Sequence, residues 1–128
     1  MKVKINELNG VPLDWAVAKA KRIELSHGCY NRLLVDGRMS AGQKMLAPYN
    51  PSTDWALAGP IIEREWLDVT PWPNESDEDL RWQCKQHDSI DCVAFGPTPL
   101  IAAMRCYVAS KFGDDLVLFK VEVPDELA

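Results

Sequence analysis

The clearest helical stretch of the sequence, and the most apolar, is GPTPLIAAMRCYVASKFG at residues 96–113. The Thr98 hydroxyl can cap this helix at its beginning, Pro99 suits a first position that needs no N–H, and Gly113 can supply a left-handed end. Between these signals only two residues are charged, and one of them is Arg105. A helix that is apolar on nearly all sides is buried on more than one of them, so the stretch predicts a core helix.

Arg105 is a charged residue on a part of this helix where solvent is not expected. Its neighbours three and four positions away are all apolar, namely Ile101, Ala102, Val108 and Ala109. Two roles are open for it: a structural arginine that pairs with a carboxylate such as Asp14 or Glu63, or an anion-binding group at the floor of a pocket. Thr98 has the same two possibilities, as a helix cap or, with the free N–H groups of the first turn, as part of an anion site.

The composition limits the class of protein. At 128 residues, with 47% hydrophobic and 26% charged residues, the chain suits one globular domain with a hydrophobic core. No apolar run approaches the roughly 20 residues of a membrane helix, and the amino terminus lacks the apolar core of a signal peptide, so we expect a cytoplasmic protein. The net charge of −5 disfavours binding to nucleic acid, and the four cysteines are not spaced as a disulfide framework.

Two further helices are predicted upstream of this stretch. Residues 12–23 place apolar side chains along one stripe and lysine and arginine on the other side, which is typical of an amphipathic helix. Another helix should begin at Trp55, because the three residues before it offer capping oxygens. Gly59-Pro60 lies inside that helix, and since proline cannot donate a helical hydrogen bond, we expect a kinked helix or two short helices in line.

Short strands make up most of the remaining pattern. Strands are predicted at residues 1–5, at 33–35 before an Asp36-Gly37 turn, at 116–123, and as a hairpin of 81–85 with 91–95. Residues 38–51 show no period and predict a long loop, whereas the acidic, proline-broken residues 67–79 predict a surface segment. The fold class that follows is α+β, a single-domain sandwich of about three helices on a small antiparallel or mixed sheet.

The most suggestive polar residues lie together, just before the middle helix. They are Tyr49, Ser52, Thr53, Asp54 and Trp55. Aromatic rings can stack on a base and the polar groups can hydrogen-bond a ribose, so this stretch is a candidate nucleotide site. The alternative is a packed loop with the tryptophan in the core.

Catalytic and metal-binding patterns are weak. The sequence has no phosphate-cradling glycine loop, no Gly-x-Ser-x-Gly and no His-Glu-x-x-His, so we do not expect an enzyme, and a nucleotide hydrolase acting through Asp54 is the least favoured class. One set of residues could supply zinc ligands: His27, Cys29, Cys84, His87 and Cys92. Their irregular spacing is more typical of ordinary thiols and turn histidines, so neither a metal nor a cofactor is expected.

Four segments carry a resemblance to a known family: LDWAVA at 13–18, PYNPSTDW at 48–55, GPIIERE at 59–65 and GPTPLIAAMRCYVASK at 96–111. In this order, and over most of the chain, the sequence resembles the NinX family of tailed-phage proteins and, less closely, the phage α-β-α sandwich domain. The resemblance implies a small phage accessory protein of the host cytoplasm, in a family without an assigned activity. The chain departs from the family pattern at Asn50 and in residues 116–120.

The residue patterns and the family resemblance together predict a non-enzymatic phage protein. It would bind a small anionic ligand, a nucleotide-type host signal, in a counter-defence role. The ligand-binding residues predicted for it are Tyr49, Ser52, Thr53, Asp54, Trp55, Thr98 and Arg105. The alternative is an inhibitor or adaptor that binds a host or phage protein through residues 67–79, where Trp72 could anchor an interface. The apolar late helix and the terminal strand are compatible with a homodimer.

Overall fold

The structure is a computed structural model that describes residues 2–4, 7–23, 26–27, 33–40, 43–72, 77–87, 93–112 and 120–122. Three α-helices lie in these ranges: α1 (Gly10–Lys21), α2 (Trp55–Glu65) and α3 (Pro99–Phe112). The strands are β1 (Lys2–Lys4), β2 (Ser26–His27), β3 (Leu33–Ser40), β4 (Gln43–Pro48), β5 (Leu67–Pro71), β6 (Trp82–Gln86), β7 (Val93–Gly96) and β8 (Lys120–Glu122). A short 3₁₀ helix, Glu78–Leu80, precedes β6.

The central layer is a three-stranded antiparallel sheet in the order β5-β6-β7. Helix α3 packs against all three of its strands, and α1 and α2 both pack against α3. Strands β2, β3 and β4 form a second antiparallel sheet, and β1 pairs with β8. The predicted α+β class is confirmed, and the sheet that carries the helices is antiparallel.

Helix α3 is the core helix that the sequence predicts. All residues from 102 to 109 are buried, and the Thr98 hydroxyl accepts a hydrogen bond from the Ile101 N–H at 3.1 Å. Gly96, the last residue of β7, lies against the first turn of the helix, because a Cβ added to it would be 2.7 Å from the Ala102 nitrogen. The expected stop, Gly113, lies outside the described residues.

Helix α1 is confirmed, with bounds two residues earlier than the pattern suggested. Leu13, Ala16, Val17 and Ala18 are buried on its inner side, so hydrophobic burial against α3 accounts for its position. It ends at Arg22, which adopts the left-handed conformation and donates its N–H to carbonyls of the last turn.

The prediction of a loop at residues 38–51 is wrong for residues 38–40 and 43–48, which belong to strands, and holds for residues 49–51. Strand β3 continues past Asp36-Gly37 to Ser40 and pairs with β4, with Ser40 opposite Gln43 at the end of the hairpin. A shift of register between Asp36 and Met39 accommodates the residues that the sequence marked as a turn. The hairpin connection at 41–42 lies outside the described residues.

Two further expectations are corrected around α2. The helix runs without interruption through Pro60, so the alternative of two short helices is wrong. Ala56 and Pro60 are both exposed, and water can therefore solvate the carbonyl that Pro60 leaves without a helical donor. Residues 67–71 are not part of a surface segment, because they form β5 and Leu67 is buried.

The hairpin predicted at 81–85 and 91–95 is confirmed as β6 and β7, although its connection lies outside the described residues. The predicted terminal strands are observed as β1 and β8, which pair with Val3 opposite Val121. Residues 116–119 of the predicted last strand are outside the described part of the chain.

Candidate functional site

The polar stretch at 49–55 forms a tight turn that leads into α2. The backbone N–H groups of Thr53 and Asp54 both donate to the Asn50 carbonyl at 3.0 Å. The Asp54 carboxylate then caps the helix by accepting from the Ala56 N–H at 2.9 Å. Thr53 is exposed, and Trp55 is 58% exposed, so the reading that places this tryptophan in the core is wrong.

Asp14, on the buried side of α1, holds this turn in place. Its Oδ1 accepts a hydrogen bond of 2.8 Å from the Ser52 backbone N–H, across 38 positions of sequence. Burial raises the pKa of this carboxyl from 3.8 to about 6, although the Ser52 N–H and the nearby Ser52 hydroxyl oppose the rise. The sequence offered Asp14 as a partner for Arg105, and nothing local in it indicated that Ser52 would be the donor.

Two buried hydroxyl groups in the same region make no hydrogen bond of good geometry to a described residue, although the Ser52 hydroxyl lies close enough to the Asp14 carboxyl to lower its pKa. They are the Tyr49 hydroxyl and the Ser52 hydroxyl, in side chains that belong to residues only 5% and 3% exposed. Burial, together with Tyr107 and Asp14, raises the pKa of Tyr49 to about 12, so this phenol is neutral and can donate a proton to a hydrogen bond. We refer to Asp14, Tyr49 and Ser52 as the buried polar cluster.

Arg105 is buried, at 3% exposure, and donates to two backbone carbonyls. Its Nε contacts the Leu8 oxygen at 2.7 Å and its Nη1 contacts the Phe95 oxygen at 2.8 Å. Burial lowers the pKa of this guanidinium, and the charge of Asp79 partly opposes that effect. These two bonds end on carbonyls, not on Asp14 or Glu63, and they join the segment before α1 to the last strand of the central sheet.

The predicted ligand-binding residues are thus distributed over different places. Tyr49 and Ser52 lie with Asp14, and Tyr107 is near enough to influence the Tyr49 pKa. Thr98 caps the beginning of α3, and the helical rise places it about 14 Å from Tyr107 along the axis. Its side chain is occupied as a cap, and the Arg105 side chain donates inside the core. An anion at the start of α3 would therefore find neither side chain free of these contacts.

Three large aromatic residues are exposed on the described surface: Trp55 at 58%, Trp66 at 68% and Trp72 at 42%. Trp66 ends α2 in a left-handed conformation and lies beside the His87 ring, with centroids 5.7 Å apart. The Trp72 ring makes an edge contact with Phe95 at a centroid distance of 5.9 Å, and the Trp72 backbone N–H donates to the Arg81 carbonyl at 2.7 Å. Sequence reasoning missed Trp66, although its place directly after a helix rich in charged residues was a signal of exposure.

Neither a metal centre nor a membrane span is found in the described part of the chain. No group of three or more His, Cys, Asp or Glu residues could hold a metal ion there, while Cys29 and Cys92 lie outside that part. Cys84 and Cys106 are buried free thiols, and His87 lies 3.4 Å from an Asp68 oxygen. None of the described helices is both long and apolar enough to cross a membrane.

Comparison with known proteins gives one finding. The family model described as "Bacteriophage P22, NinX" matches residues 4–111, a range that includes all of α1 and α2, the central sheet and nearly all of α3. No curated protein matches the chain.

Proposed function

The chain belongs to the bacteriophage NinX family, and from that premise we propose that it is a non-enzymatic phage accessory protein that binds a small nucleotide-type ligand at the buried polar cluster. The observation that carries the proposal is the pair of buried hydroxyls, on Tyr49 and Ser52, that make no hydrogen bond of good geometry to a described residue and lie in the region of the Asp14 carboxyl. Buried polar groups are nearly always hydrogen-bonded in folded proteins, and a bound polar group at this turn would supply partners for both hydroxyls.

The chemistry of the cluster favours one end of a nucleotide over the other. Two hydroxyls and a carboxyl can both donate to and accept from a base edge or a ribose hydroxyl. A phosphate beside Asp14 would face a carboxylate once that group ionises above about pH 6. The ligand is therefore oriented with its base or sugar at the cluster and its anionic groups toward solvent.

The turn at 50–53 controls access to this site. The backbone of the turn is tied to α1 by the hydrogen bond from the Ser52 N–H to Asp14, and the turn ends at the exposed residues Thr53 and Trp55. Displacement of this turn away from α1 would open the cluster and would also expose Pro51, which is fully buried in the closed form. In a phage protein, holding a nucleotide-type host signal out of solution in this way would serve a counter-defence role.

The test is direct binding of cyclic dinucleotides and of ADP-ribose, measured by calorimetry and native mass spectrometry on the full chain. We expect one bound molecule per chain, and a loss of affinity of about tenfold in Tyr49→Phe and in Ser52→Ala, since each removes one hydroxyl worth roughly 1 to 1.5 kcal/mol. Thr70→Ala, which removes an exposed hydroxyl in β5, is the matched control and should bind as the wild type does. Absence of any retained nucleotide would end this proposal.

A second candidate function is supported by a different surface. Trp72 is 42% exposed, and the acidic residues Asp77, Glu78 and Asp79 that follow it are all exposed, as expected for an adaptor that binds a basic surface on another protein. Deleting residues 67–79 would remove β5, so the variant for this test is Trp72→Ala combined with Glu78→Lys. Loss of a defined phage or host partner from pull-downs with this variant, but not with Thr70→Ala, would support the adaptor. An unchanged set of partners would exclude this surface.

A further inference from the structure

We propose that the phosphate groups of the ligand bind where the C-terminal ends of the three helices meet, between Lys21 of α1 and Arg64 of α2. We call the space between these two side chains the helix-end site. The inference rests on the proposed function, because it assigns the anionic part of the same nucleotide-type ligand. It adds residues outside the buried polar cluster and a chemical requirement, which is that the ligand carries phosphate.

The last turns of the three helices are joined by contacts between their side chains. Lys111 of α3 forms an ion pair of 3.2 Å with the Glu65 carboxylate of α2, and its Nζ lies 5.7 Å from the centre of the Tyr107 ring. The Arg64 guanidinium donates a hydrogen bond to the Tyr107 hydroxyl. Lys21, in the last turn of α1, lies near enough to Arg64 for their charges to interact. The end of each helix thus contributes a cation to one place.

Two of these cations have no acidic partner. In the described part of the chain, neither Lys21 nor Arg64 forms an ion pair with a carboxylate, and Glu65 is bound to Lys111. Burial and, to a smaller extent, the charge of Arg64 lower the pKa of Lys21. A basic residue also offsets the partial negative charge at its own helix end, but this does not account for two cations placed so that they repel each other. An anion between Lys21 and Arg64 would remove that repulsion.

Tyr107 connects the helix-end site to the buried polar cluster. It accepts from Arg64 on one side, and on the other it contributes, after burial, to the raised pKa of Tyr49. Lys21 follows Asp14 by seven residues, so it lies on the same side of α1, about 10 Å further along the axis. A ribose at the cluster would therefore have cations within reach of its phosphates, away from the Asp14 carboxylate.

The donors at the helix-end site suit a diphosphate. Arg64 offers a planar fork of N–H groups, which matches two oxygens of one phosphate, and Lys21 offers a compact point charge. Arg64 is exposed and Lys21 is partly exposed, so both side chains are accessible to a ligand. Two linked phosphates have enough oxygens to bond both cations at once. The ligand class that follows is a nucleoside diphosphate derivative, for which ADP-ribose is a probe.

Calorimetry on the full chain tests the inference with three probes, namely ADP-ribose, adenosine and inorganic diphosphate. Lys21→Met and Arg64→Gln should each weaken ADP-ribose binding about tenfold or more, because each removes a charge-assisted hydrogen bond. Neither change should alter the affinity for adenosine, which carries no phosphate. Lys19→Met, on the other side of α1, and Arg81→Gln, outside the three helices, remove the same charges elsewhere and should bind ADP-ribose as the wild type does.

Urea unfolding with diphosphate alone gives a second measurement, since a ligand of the folded state raises the unfolding midpoint. The wild type and Lys19→Met should both show this rise, and Lys21→Met and Arg64→Gln should lose it. If the two cations served only to neutralise the helix ends, their replacement would shift the midpoint without diphosphate and would leave the rise intact. That result would overturn the inference.

The three probes separate this inference from the proposed function. Equal ADP-ribose binding by the wild type, Lys21→Met and Arg64→Gln overturns the helix-end site and leaves the proposed function standing. Diphosphate binding that depends on Lys21 and Arg64, in a chain that retains neither ADP-ribose nor adenosine, ends the proposed function and supports the anion site alone. A chain that binds none of the three probes overturns both.

Discussion

Replacing Asp14 by asparagine should stabilise the protein, by an amount that depends on pH. Burial holds the Asp14 pKa at about 6 in the folded state, against 3.8 ordinarily. The folded state therefore binds more protons than the unfolded state between these values, and stability falls as the pH rises through that window. At 1.36 kcal/mol for each tenfold change in the ionisation constant, the full loss is about 3 kcal/mol above pH 6.

Asparagine keeps the carbonyl oxygen that accepts from the Ser52 N–H and removes the charge. Its amide can also donate to the Tyr49 or Ser52 hydroxyl, neither of which makes a hydrogen bond of good geometry to a described residue. The Asp14→Asn variant should therefore match the wild type near pH 3.5 and exceed it by up to about 3 kcal/mol at pH 7.5.

Urea unfolding at pH 3.5, 4.5, 5.5, 6.5 and 7.5 measures this difference, and the exposed Glu63→Gln serves as control. The gain should appear mainly between pH 4 and 6 for Asp14→Asn, and no such step should appear for Glu63→Gln. A difference independent of pH, or an Asp14→Asn variant less stable than the wild type at pH 7.5, would refute the burial of an ionisable carboxyl as the cause.

Three further changes test the core, each by urea unfolding at pH 7.5. Tyr49→Phe should raise the unfolding free energy by about 1 kcal/mol, because it removes a buried hydroxyl without a described partner, and a loss of that size would mean that the hydroxyl is bonded. Gly96→Ala should lower it by about 2 to 3 kcal/mol, because the new Cβ would be 2.7 Å from the Ala102 nitrogen; an unchanged midpoint would show that β7 and α3 can separate freely. Arg105→Met should lower it by about 3 kcal/mol, because two carbonyls lose their donor, and Arg105→Lys should recover only part of that loss.

The elements that could be predicted from the sequence are those whose type and first residue are indicated by residues of the element itself or directly beside it. Thr98, Pro99 and an apolar run specify α3, and Asp54 specifies the start of α2, because a cap acts within one helical turn. Strand β4, with the sequence QKMLAP, has neither alternation nor β-branched residues. It is a strand because β3 supplies its hydrogen bonds, and a sequence pattern contains no information on such pairing.

The candidate site depends on contacts between distant parts of the chain, which is why only half of it could be predicted. The sequence predicts Tyr49 and Ser52 as polar residues of a candidate site, but the contact of this turn with Asp14 follows from the packing of α1, 38 positions before Ser52. Arg105 was recognised as a charge that needed partners. Its partners are carbonyl oxygens, which every residue possesses, so residue types could not identify them.

The Arg105 bonds also limit the order in which the molecule can be completed during its synthesis. Leu8 is translated 97 positions before Arg105, whose guanidinium donates to the Leu8 carbonyl. Strand β1 likewise cannot pair until β8 has been translated. A nascent chain that ends before α3 has the surfaces of α1 and the central sheet but lacks the helix that covers them. Because non-local contacts of this kind close late, the growing chain exposes apolar surface until α3 has been translated, and is open to chaperones and proteases until then.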